Sequence, residues 1–207
     1  MESNLLTIFA VLTVLLVTVD FYYAHQAFQK PEEIGRYLGL AAMMAGFVTL
    51  SYFCSIRTDS YTRMSVANSV YFACIDWMLV SLVHFVFVIT EYHPYKAARI
   101  LRQAARAYAV FDSLVFLINI FREIAIHYNK RATPGIGYMY EMKPLYYMHL
   151  IFTYILVAAI LFILINKYIR TLRLYRNHYL LIILAIVFVI IINAIYLFAE
   201  SGWALTQ

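Results

Sequence analysis

The sequence predicts an all-α, polytopic membrane helix bundle, and three observations carry that prediction. Hydrophobic residues make up 64% of the 207 residues and charged residues 13%, against roughly half and a quarter in soluble domains. Mean hydropathy is +0.76. The apolar residues also gather into six runs of 20–25 residues, at 4–23, 34–56, 66–90, 108–127, 146–169 and 179–198. As helices rising 1.5 Å per residue, each is long enough to cross a hydrocarbon core about 30 Å thick. Membrane-spanning β-strands would be about ten residues long and would alternate, which these runs do not. Nothing between the runs is large enough for a soluble domain, so residues 1–207 read as one transmembrane domain.

Each element has its own signals. The first run, Leu5 to Tyr23, lacks the basic start and small-residue cleavage site of a signal peptide and reads as a retained helix. Lys30-Pro31-Glu32-Glu33 is a turn that opens the second helix, with proline and acids in its first turn. Gly39 and Gly46 in that helix allow close packing. Arg57-Thr58-Asp59-Ser60 is a short polar turn, and His93-Pro94-Tyr95 ends the third helix. Lys96 to Arg106 is a basic, alanine-rich helical stretch suited to anionic lipid. The longest connection, Tyr128 to Leu145, contains Thr133-Pro134-Gly135-Ile136-Gly137, which no helix tolerates. Its Tyr138 and Tyr140 are expected on the lipid headgroups. Cys54 and Cys74 lie in or beside apolar runs and read as free thiols. Lysine and arginine number ten beside the first, third and fifth connections and six on the opposite side. The positive-inside rule then places the N-terminus outside.

Polar residues at depth define the candidate site. The third run carries Asp76 near its middle, and a carboxylate there costs roughly 2.5–3.5 kcal/mol on insertion scales. Ser69 shares its face, seven residues away. The fourth run carries Asn119, Arg122 and Glu123. Counting from the outer ends of these two antiparallel helices sets Asp76 and Arg122 within about 6 Å in depth, so they are expected to pair. Glu123 then points to another partner. Tyr147 and His149 open the fifth helix, and Asn193, Tyr196 and Glu200 close the sixth, at similar outer depth. Two readings of the pair stand: an ion pair that fixes helix register, or a lock in an outward-facing ligand site made by Asp76, Arg122, Glu123, Asn119, Ser69, Tyr147, His149 and Glu200. Asp20, His25, His84, Asp112 and Asn166 are scattered on the inner side. No catalytic spacing, phosphate loop or Cys/His metal-ligand spacing occurs, so no catalytic residue, cofactor or metal is expected, and the short basic groups do not suggest nucleic acid.

Ser69-Val70-Tyr71-Phe72 with Ile75-Asp76-Trp77, Tyr147-x-His149 with Tyr154, Leu174-Tyr175-Arg176 and Asn193 together resemble the N-terminal seven-helix membrane region of bacterial sensor histidine kinases and diguanylate cyclases. The resemblance covers nearly the whole chain. It implies a sensory input module in the bacterial plasma membrane that acts as a homodimer through the full-length protein. It also implies a seventh helix and a cytoplasmic output domain beyond Gln207, so no enzymatic activity is assigned to this chain. An unknown small molecule is the expected ligand. The alternative is a small transporter in which Asp76, His84, Asp112 and Asn119 form a path, disfavoured by the lack of repeats.

Overall fold

The computed structural model describes residues 2–58, 60–92, 96–130 and 138–204, without the side chains of 2–6, 130, 138–139, 173–175 and 192–204. Among the described residues six helices follow one another: α1 (Glu2–Phe28), α2 (Glu33–Arg57), α3 (Tyr61–Ile89), α4 (Lys96–Arg122), α5 (Pro144–Arg170) and α6 (Arg173–Ala204). A hairpin of β1 (Ile126–Lys130) and β2 (Tyr138–Met142) lies between α4 and α5. Helices α1 to α5 are each long and apolar enough to cross a membrane, and in α6 the stretch Arg176–Ile191 is apolar.

The chain forms two compact units. The first, Met1–Val157, holds α1 to α4, the hairpin and the start of α5. Within it α1 packs on α2, α2 on α3 and α3 on α4. Small residues bring α1 and α2 together: a Cβ on Gly35 would lie 2.5 Å from the Ala27 carbonyl oxygen, and one on Gly39 would lie 2.9 Å from the Phe28 ring. Helix α3 is the most enclosed of the spans and α1 the least. Val11, Leu12, Val14, Leu15 and Leu16 of α1 are exposed, as an apolar stripe facing acyl chains would be.

Two contacts fix α3 against α4 in antiparallel register. Ser69 Oγ donates to the Phe116 carbonyl oxygen (2.8 Å), and the Arg102 guanidinium lies 6.0 Å from the centre of the Phe87 ring. Helix α4 starts and ends earlier than the fourth apolar run, because hydropathy marks where lipid begins and ends, whereas the helix stops where its backbone is captured. Glu123 takes φ 45°, a left-handed conformation that breaks the helix. Asn119 then receives the returning chain: its Oδ1 accepts from Ala125 N (2.7 Å) and Ile126 N (3.0 Å), and its Nδ2 donates to Ile126 O (3.2 Å). The part of the longest connection expected to be an irregular loop is therefore a hairpin, with Ile126 opposite Met142 and Tyr128 opposite Tyr140. Met64, Val115, Phe116, Ala125, Ile126, Tyr128 and Tyr146 form the core beneath it.

The second unit, Ala158–Gln207, holds the rest of α5 and α6. Arg176 closes the C-terminal end of α5: Nε donates to Thr171 O (2.8 Å) and Nη2 to Ile169 O (3.0 Å), with its guanidinium over the Tyr168 ring. These bonds satisfy carbonyls that the helix leaves open.

Candidate functional site

The register of α3 and α4 decides what Asp76 meets. Asp76 lies seven residues beyond Ser69, and Asp112 lies four residues from Phe116 on the same side of the Ser69–Phe116 bond. The two carboxyl groups therefore fall at similar depth, with one oxygen of each within 4.8 Å of the other. Helix α5 adds His149. Its Nδ1 donates to Asp112 Oδ2 (2.5 Å) and lies 3.5 Å from Asp76 Oδ1. Tyr108 Oη approaches the other Asp112 oxygen at 3.4 Å. All three residues of the cluster are at most 3% exposed.

The walls are aromatic. The Phe72 and Phe116 rings stack with centroids 4.4 Å apart and stand edge-on to the His149 ring at 5.2 and 5.3 Å. Tyr146, one turn before His149, lies 6.2 Å from it. Such rings exclude water and strengthen the electrostatics inside. Asp76 Oδ2 is buried and receives no hydrogen bond from the described residues. Toward the hairpin, Ser65 Oγ, Asn68 Nδ2 and Tyr128 Oη are also buried without a hydrogen bond meeting normal geometry, and the Tyr128 hydroxyl faces Asn68.

The expected Asp76–Arg122 pair does not form. Arg122 is exposed at the last turn of α4 and lies six residues from Phe116 in the direction away from Asp76. Roughly 20 Å of helical rise separates the two, beyond an arginine's reach. The depth count failed because α3 starts five residues before the third apolar run and α4 ends five residues before the fourth does. Asp112, placed among scattered inner residues, is the partner instead. Its signal is a stripe on one face of α4: Ala105, Ala109, Asp112, Phe116 and Asn119, all buried and spaced by four and three.

The other expected residues separate into different roles. Ser69 fixes helix register, donating to Ser65 O and Phe116 O at 2.8 Å each. Asn119 gives its side-chain amide to the hairpin backbone. Glu123 sits outside the spans, bonded to Tyr61 and to His127, while Lys143 Nζ donates to its carbonyl oxygen (2.5 Å). The Tyr61 hydroxyl beside it holds its carboxyl below the ordinary glutamate range, with His127 and Lys143 acting the same way against the opposing effect of burial. Burial raises the Tyr128 hydroxyl. Tyr147 is 52% exposed, because it is 100° around α5 from Tyr146, which is the tyrosine that turns inward. The side chains of Glu200, Asn193 and Tyr196 lie outside the described residues. His84 packs edge-on against the Tyr37 ring at 4.9 Å.

Fold and site together define a polytopic helical membrane region with a polar, enclosed centre. The chain matches the family model for the N-terminal 7TM region of histidine kinase over residues 5–206, and it belongs to that family. It is thus a membrane sensory input region. No curated protein and no solved structure matches it.

Proposed function

We propose that this chain is the cue-responsive input region of a receptor in the bacterial plasma membrane, with its N-terminus outside, and that the Asp76–Asp112–His149 cluster is its switch. The reading rests on that cluster: two carboxyl groups and an imidazole, nearly fully buried, contributed by three separate helices. Intramembrane ionisable residues are expensive and are retained mainly where they act. A cue that binds one arrangement of α3, α4 and α5 more tightly than another shifts the population between them. Helix shifts of about 1–2 Å suffice to pass such a change on. The output is a cytoplasmic histidine kinase, in keeping with the family. A diguanylate cyclase output is the other possibility that the resemblance raised.

The test uses the full-length receptor in membranes. Asp76→Asn is expected to change basal autophosphorylation or the response to the cue, whereas Arg122→Ala leaves both near wild type. Wild-type signalling by Asp76→Asn, with the protein folded and inserted, would remove the cluster from the mechanism. Cyclic dinucleotide synthesis, assayed alongside, separates a cyclase output from a kinase one. Labelling of a cysteine introduced at Glu2 by a membrane-impermeant reagent checks the orientation.

A further inference from the structure

We propose that the Asp76–Asp112–His149 cluster is a binding site for a divalent first-row transition cation, with Zn2+ its tight-binding case. This deepens the reading of the cluster as a switch and rests on it for its role in signalling. The site itself stands on geometry. One ligand atom from each residue lies within 4.8 Å of the others. Around an ion with bonds of about 2.0–2.2 Å in tetrahedral array, donor atoms sit roughly 3.5 Å apart. Asp76 Oδ1 and His149 Nδ1 already do, at 3.5 Å. The 2.5 Å contact between His149 and Asp112 must open by about 1 Å. The Nδ1 proton that bridges them is then lost or moves to Nε2, as metal binding requires.

Charge and an open lone pair favour a cation. Two carboxyl groups face one imidazole, and among the described residues no lysine or arginine forms an ion pair with either carboxyl. Asp76 Oδ2 is buried, belongs to the same carboxyl and has no hydrogen-bond donor among the described residues. It can complete the coordination as a second oxygen from Asp76. Two carboxylates with one imidazole suit a borderline ion. Calcium needs six to eight oxygens and magnesium keeps several waters, whereas the residues here offer two carboxyl groups and one imidazole.

The test begins with full-length receptor purified in detergent, stripped with chelator and titrated with Zn2+ or Co2+. One Zn2+ per chain, measured by plasma mass spectrometry, and the visible absorption of four-coordinate Co2+ are expected. Asp76→Asn, Asp112→Asn and His149→Gln should each weaken binding by more than about 100-fold, beyond what loss of an outer-shell partner costs. The exposed-histidine control His25→Gln/His178→Gln should bind as wild type. His149→Cys should bind Co2+ and add a thiolate charge-transfer band, a positive signal that a misfolded variant cannot give. Absence of stoichiometric metal, equal binding in the three ligand variants, or no new band in His149→Cys overturns the site. Stoichiometric Zn2+ with kinase output unchanged by it upholds the site and overturns its role as the switch. An output altered by Asp76→Asn in a receptor that binds no metal overturns the site and leaves the sensor reading standing.

Discussion

Replacing Asn119 by alanine tests whether this residue builds the hairpin or serves a ligand. Its side chain is fully buried and makes three hydrogen bonds to backbone groups of Ala125 and Ile126, themselves 0% and 2% exposed. The substitution strands two N–H donors and deprives the Ile126 carbonyl of one donor. A buried polar group left unsatisfied costs about 1–3 kcal/mol. The two donors share one oxygen, and water can enter where the amide was, so the expected loss is about 2–5 kcal/mol. That is a large part of the 5–15 kcal/mol typical of a folded domain. Asn119→Asp keeps the acceptor and loses one donor, and should cost about 1–2 kcal/mol. Hydrogen exchange of the 119–128 peptide, with thermal unfolding of the detergent-solubilised protein, reads both variants. Unchanged protection of the Ala125 and Ile126 amides in Asn119→Ala would refute the argument. If signalling failed in that same variant, Asn119 would return to the ligand site.

Further expectations concern the anchors around the cluster. Ser69→Ala should cost about 0.5–1.5 kcal/mol in thermal unfolding, since both carbonyls that lose Ser69 also lie within helices; a loss above about 3 kcal/mol would mean that Ser69 does more than set register. Gly35→Ala should destabilise the α1–α2 pair by about 1–3 kcal/mol because the added carbon meets a backbone oxygen at 2.5 Å, whereas Gly46→Ala, at 3.3 Å from the Phe21 ring, should be tolerated; equal melting temperatures would contradict this. For Glu123 the folded carboxyl titrates below its ordinary value, held there first by Tyr61. Its stabilisation is therefore present above the unfolded value of about 4.3 and is lost as pH falls through the lower folded value. Hairpin exchange protection should hold from neutral pH down to the ordinary glutamate range and fall below it, and Glu123→Gln should remove that acid step.

The pattern of what the sequence disclosed follows from what hydropathy measures. A run of apolar residues records the path through lipid, so the existence and order of the helices were legible. The ends of α3 and α4 were not, because they are set by hydrogen bonds that hydropathy does not register: Tyr61 to Glu123, Asn119 to Ala125 and Ile126, and Lys143 to the Glu123 carbonyl. Five-residue errors at both ends moved Arg122 next to Asp76 on paper and about 20 Å away in the molecule. Face, not depth, was the more dependable coordinate. Asp112 shares the stripe of Ala105, Ala109, Phe116 and Asn119, and Asp76 shares one with Ser65, Ser69 and Phe72, so two buried stripes on consecutive antiparallel helices must meet wherever the loop sets the register. In the register that the Ser69–Phe116 bond sets, the deep carboxyl group of one stripe comes to that of the other. The third helix must then supply a group able to stand between two acids, and His149, one turn past the inward-facing Tyr146, is the residue of α5 shown doing so.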